Sequence, residues 1–73
     1  MIMSGTKDAM LRAVRLIDIH GTYFYDLEYT HDDAPGQIHT ARLGAESIYA
    51  DPQPGDQIRV SYLMNVVTQM SRR

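Results

Sequence analysis

Between Pro54 and Met70 the chain sets Ile58, Val60, Tyr62, Met64, Val66, Thr68 and Met70 at every second position, with Gln57, Arg59, Ser61, Asn65 and Gln69 between them. A two-residue period rich in β-branched side chains is the pattern of a strand with one buried face. Pro54-Gly55 sets a turn just before it, since proline fixes φ and glycine accepts positive φ. The run is too long for one straight strand. Fifteen residues would reach roughly 50 Å, against a diameter of about 30 Å for a compact domain of this length. It therefore bends, coils or folds back, and Leu63-Met64-Asn65 is the place for it, because Asn tolerates left-handed geometry. The rival is a helix: Ile58, Tyr62, Val66 and Met70 are also four apart, and Ser61 is a possible cap for a helix over 65–71.

The rest of the chain supports the strand reading. Thr22 to Thr30 alternates well, with Tyr23, Tyr25, Leu27 and Tyr29 on one face and Thr22, Phe24, Asp26, Glu28 and Thr30 on the other. His20-Gly21-Thr22 reads as a tight turn joining this strand to the preceding run. Ala9 to His20 is mixed. As a strand it puts Leu11, Ala13, Arg15, Ile17 and Ile19 on one face and needs a bulge near Leu16-Ile17. As a helix over 8–19 it clusters Met10, Ala13, Val14 and Ile17. His31 to Gly36 is a loop by composition, Gln37 to Leu43 a further strand, and Gly44 a bulge or turn. Two prolines stiffen the 51–56 turn.

The expected architecture is all-β: a small curled antiparallel sheet or partly open barrel of the OB or SH3-like kind, with four to five strands. The alternative is an α+β fold, with an N-terminal or C-terminal helix on a three- to four-stranded antiparallel sheet. Residues 1–8 read as a flexible tail and 9–73 as a single small domain. With no cysteine, the chain has neither disulfides nor a thiolate metal site.

Charge narrows the functional classes. Seven basic against nine acidic residues give a net charge of −2, which disfavours a general nucleic-acid binder. No apolar run has the length of a membrane span, and Met1 to Thr6 lacks signal-peptide character, so no membrane partner and a cytoplasmic location are expected. His31, Asp32 and Asp33, with His20 and His39 within reach, are the one cluster of metal-type ligands. Adjacent residues rarely converge on one ion, however, and turn chemistry alone explains two Asp before Pro-Gly. No metal or other cofactor is expected. Nor is catalysis: the serines lack a triad context, and Asp26 and Glu28 share a strand face without a pocket to shift their pKa values.

Two binding readings are left. In the first, the Tyr23-Tyr25-Leu27-Tyr29 face is core, so Phe24 points outward beside Asp26 and Glu28. Those three residues then mark a surface for a protein partner or a second copy of the chain. In the second, Arg12, Arg42 and Arg59 combine with Tyr23 and Tyr62 to bind single-stranded nucleic acid.

Overall fold

A computed structural model describes residues 4–73. It contains β1 (Ser4–Ile19), β2 (Thr22–His31), β3 (Ala34–Gly44), a 3-10 turn (Ala45–Ser47), β4 (Gln57–Leu63) and β5 (Val66–Arg72). The strands form one sheet in the order β3-β2-β1-β4-β5, and every neighbouring pair is antiparallel. The sheet curls around a single core without closing. Both helical alternatives give way to strands, and no helix among the described residues is long and apolar enough to cross a membrane.

β1 is the spine. It pairs with β4 over Ser4 to Met10 and with β2 from Ala9 to Ile19. Its 16 residues would extend about 53 Å if straight, yet the longest dimension of the molecule is 36 Å. The bend falls at Arg12, where the register jumps from Leu11↔Tyr29 to Ala13↔Glu28. A bulge is needed here, not at Leu16-Ile17, because this is where β1 loses β4. The Leu11 N–H donates instead to the Asp56 carbonyl (3.0 Å), and Gly55 N–H donates to the Leu11 carbonyl (2.8 Å). The extra residue also resets the pleat. Ala9 and Leu11 face inward before it and Val14 after it, so Leu11 parts from Ala13, Arg15 and Ile17, with which simple alternation grouped it.

The expected tail is structured from Ser4 onward. Ser4 to Asp8 pair with Arg59 to Leu63, because β4 would otherwise present an unpaired edge. β3 starts at Ala34, three residues before the expected Gln37. His31 pairs with Ala34 and Thr30 with Ile38, so Pro35, Gly36 and Gln37 bulge out of the ladder, as a residue without an N–H requires.

The 57–70 alternation folds back at Leu63-Met64-Asn65, the expected place. Met64 (φ 51°) and Asn65 (φ 66°) form a two-residue hairpin turn between Leu63 and Val66. His20 (φ 52°) and Gly21 (φ 81°) do the same between β1 and β2. Positive φ at both central residues matches the right-handed twist of the flanking strands. The fold-back removes Met64 and Val66 from the buried face on which a continuous strand would place them. They are 71% and 63% exposed.

The core is Ala9, Leu11, Leu27, Tyr29, Leu43, Ile48, Ile58, Val60 and Met70. Tyr25 packs against it, whereas Tyr23, at the hairpin tip, is exposed. Ile48, just after the 3-10 turn, forms a parallel bridge to Met70 on β5 and covers one end of the core. The loop that delivers it is held by Asp56, whose carboxylate accepts from Tyr49 Oη (2.7 Å) and from the Gln53 N–H (3.0 Å).

Methionine is poorly suited to the left-handed region, where asparagine and glycine are favoured. Met64→Asn should stabilise the fold by about 1 kcal/mol, a rise in Tm of roughly 4–8 °C for a domain of this size. Thermal unfolding followed by circular dichroism checks this.

Candidate functional site

The wall of the molecule is incomplete between its two edge strands. At one end Ile48 joins the edges. At the other, β3 (37–42) and the start of β5 (Val66, Val67, with Asn65) stand on opposite sides of an open cleft of about 860 Å³. The volume is within the usual range for binding pockets. Its floor is polar and aromatic: Lys7 from β1, Tyr29 and His31 from β2, His39 from β3 and Tyr62 from β4.

Strand pleating brings these side chains together. Tyr29 and His31 are two apart on β2, so both face inward, and His39 lies directly opposite Tyr29 on β3. Tyr62 continues the inward series of Ile58 and Val60. The Tyr62 hydroxyl lies 2.7 Å from His31 Nε2 and 2.8 Å from the Tyr29 hydroxyl. It therefore ties β4 to β2 across the inside of the curl. The His31 and His39 rings stack with centroids 4.3 Å apart, and His39 also stacks on Tyr29 at 5.4 Å. His39 Nε2 is buried with no hydrogen-bond partner, which is uncommon in folded proteins.

The electrostatics follow from this packing. Burial, then neighbouring His39 and Lys7, hold the His31 imidazolium pKa below its ordinary value. Burial and the bond to Tyr62 push the Tyr29 phenol upward. Lys7 pairs with Asp33 of the β2–β3 turn and holds that carboxylate below the usual range. No Asp or Glu is among the residues lining the cleft, whereas Lys7, Arg42, His31 and His39 are.

The residues singled out from the sequence land in different places. Tyr62 is in the cleft floor and Tyr23 at the far hairpin tip, while Arg12 and Arg59 lie away from the cleft and Arg42, on edge strand β3, reaches its rim. Arg42 grips Asp26 with two bonds (2.7 and 3.1 Å) and keeps its pKa low. Arg59 pairs with Asp8 (3.2 Å), and Arg12 donates to Thr30 Oγ1 (3.0 Å). Phe24 is half-buried on the outer face beside Ile17 and Gly44. Asp26 lies next to it in the ladder, and Glu28 is exposed.

The His31-Asp32-Asp33 cluster is divided. His31 turns inward, Asp33 meets Lys7, and Asp32 accepts from Arg73 at 2.8 Å. No group of three or more His, Asp or Glu side chains is placed to hold a metal ion among the described residues. The terminal arginines are part of the fold: Arg73 also donates to the Ala9 carbonyl (2.7 Å), and the Arg72 guanidinium lies over the Tyr49 ring at 4.7 Å.

Sequence reasoning brought His31 and His39 within reach of each other only as metal-type ligands and missed their joining with Tyr29 and Tyr62. The inward placement of His39 and Tyr62 was legible from alternation. That of His31 was not, because it read as the first residue of a loop. No family model, curated protein or solved structure matches the chain.

Two outcomes follow for stability. His39→Phe keeps the stacked ring and removes the unpartnered nitrogen, so it should raise stability by about 1 kcal/mol in urea unfolding. The second concerns pH. The unfolded chain takes up a proton at the His31 position near pH 6.5, and folded His31 resists it. Stability is thus complete above about pH 6.5 and falls as the pH drops from there toward the lowered folded pKa. His31→Gln should flatten that decline in urea titrations at about pH 7.5 and 5.5.

Proposed function

We propose that this protein is a non-catalytic binding module of a cytoplasmic setting, a small OB- or SH3-like open barrel that takes an extended segment of another protein at its open edge. The observation that carries this reading is the composition of the rim. Ile38, Leu63, Met64 and Val66 are between 58% and 71% exposed. Leu63 and Val66 pair at the base of the Met64-Asn65 turn, while Val66 and Ile38 border the same cleft from opposite sides. Met64 adds weight to it. A methionine in left-handed geometry, set in solvent where Asn would cost less, is a local violation of the kind found at functional sites. Contiguous exposed apolar surface beside unpaired strand edges is how small sheets recruit partners.

The arrangement shifts emphasis from the Phe24, Asp26 and Glu28 surface to the rim, since Phe24 is half-covered and Asp26 is engaged by Arg42. Self-association through the same edges uses the same chemistry. The nucleic-acid reading is weaker on two grounds. Arg42 and Arg59 are already paired with carboxylates, and Arg42 alone among the arginines lines the cleft that holds Tyr62, whereas base stacking next to phosphate contacts needs several cations on one face.

The test is panning of the immobilised protein with an unbiased peptide library, with light scattering to record self-association. Related peptides should be enriched, and their binding should fall at least about tenfold with Met64→Ser plus Val66→Ser, a loss of about 1.4 kcal/mol. No enrichment, together with a strict monomer at high concentration, would overturn the reading.

A further inference from the structure

The open edge has a directional property that names its occupant more closely. Because all four pairings are antiparallel, β1, β3 and β5 run one way and β2 and β4 the other. The two edge strands are therefore parallel to each other. An odd number of strands cannot close into a fully antiparallel barrel, since one junction must be parallel. Parallel pairing is slightly less stable per residue, and here it is limited to the single Ile48–Met70 bridge. Beyond that bridge no ladder joins β3 to β5 among the described residues, and the cleft opens. A sixth strand placed there and running opposite to both edges restores the alternation around the whole ring.

The side chains at the gap say what such a strand carries. Inward, it meets His39 and Ala41 of β3, Val67 of β5 and the floor of Lys7, His31 and Tyr62. This surface carries hydrogen-bonding groups and one ammonium, Lys7, whose charge is shared with Asp33 at its edge; no Asp or Glu is among its lining residues. The lack of acidic lining contrasts with the chain as a whole, where acidic residues outnumber basic ones. His39 supplies a buried nitrogen with no partner within the molecule. Outward, the gap is flanked by exposed Ile38 and Val66.

Building on the peptide-binding reading above, we propose that the β3–β5 gap receives a partner peptide as a sixth strand. The peptide runs antiparallel to both edges, with acidic or amide side chains inward over His39 and Lys7 and β-branched side chains outward between Ile38 and Val66. Backbone hydrogen bonds to both edges supply affinity independent of sequence, and the alternating side chains supply selectivity. His39 and Lys7 bind the segment, and Ile38 and Val66 select its outward face.

The probe is an acetylated nine-residue peptide alternating valine and glutamate. A valine–lysine peptide, a scrambled valine–glutamate peptide and a mixed-sequence single-stranded oligonucleotide serve as comparisons. Amide exchange is followed by heteronuclear NMR on the full chain. The valine–glutamate peptide should slow exchange by about tenfold or more at amides in both 37–42 and 66–70. Ile38→Lys plus Val66→Lys, at two exposed positions, should abolish that protection while leaving the spectrum of the fold in place. His39→Phe should weaken binding while raising stability.

Protection of one edge only, of neither, or equal protection by the valine–lysine or scrambled peptide would overturn the inserted strand and its charge preference. So would the oligonucleotide protecting both edges in the peptide's place. If library peptides bind without protecting both edges, insertion fails and the module reading stands. If no library peptide binds, the module reading fails first.

Discussion

One sheet with no second layer must bury its face against itself, and the bulge at Arg12 is what lets it. Before Arg12, β1 belongs to β4; beyond it, to β2 alone. The extra residue turns the strand through the change of partner and swaps the inward set from Ala9 and Leu11 to Val14. Without that swap, continued alternation would turn Ala13, Arg15 and Ile17 inward and leave Val14 outside. Bulges raise local twist as well as shifting the pleat, so one device gives both the curl and the apolar continuity that the curl requires. The docking of Leu11 onto Gly55 and Asp56 then fixes where the curl begins, because it joins the bend to the rigid Pro52–Pro54 loop.

The composition dictates what fills the inside. With one Phe and no Trp, tyrosine has to supply much of the aromatic volume, and each buried tyrosine brings a hydroxyl that needs a partner. Tyr29 and Tyr62 solve this for each other across the concavity, with His31 as third member, and Tyr49 uses Asp56. The core is thus apolar at the Ile48 end and polar at the open end. The open end is the one where a ligand's polar groups can be matched. His39 belongs to that polar end, where it lines the open cleft while its Nε2 atom lies covered and unpartnered beneath the surface.

The strands themselves were legible from alternation. The Tyr25-Leu27-Tyr29 face, without the exposed Tyr23 that alternation added to it, the inward series of β3 and the break at Leu63-Met64-Asn65 all follow from a two-residue period and turn chemistry, which are local. What was not legible is long-range. The position of the β1 bulge depends on where β4 stops pairing, and the strand character of Ser4 to Asp8 depends on β4 needing a partner on that side. The engagement of Arg73 with Ala9 and Asp32 joins residues 64 and 41 positions apart. The candidate site was missed for the same reason: with Pro35, Gly36 and Gln37 extruded, Ala34 pairs with His31 and extends β2 one residue beyond Thr30, so that alternation from Tyr29 turns His31 inward. Charge gave a true but incomplete signal, since counting arginines does not show that Arg42 and Arg59 each sit opposite an Asp.

Stability and openness pull against each other in this design. Several groups that break local rules lie at the open end: a left-handed Met64, exposed Ile38 and Val66, and an unpartnered His39, although the opposite hairpin has its own left-handed His20 and exposed Leu16 and Ile19. A chain of this size buries a modest fraction of its surface and has little stability to spare. Each of these features would be relieved by a change that leaves the fold intact. Those at the open end occur together beside the only stretch where two strand edges face each other without pairing among the described residues. The other hairpin tip, of similar length and geometry, meets its backbone demands with Gly21 and an Asp18 carboxylate that accepts the Gly21 N–H at 2.8 Å. That turn holds one non-glycine residue, His20, at positive φ, where the Met64-Asn65 turn holds two. Where the chain departs from that solution, the departure coincides with the unfilled place in the barrel wall.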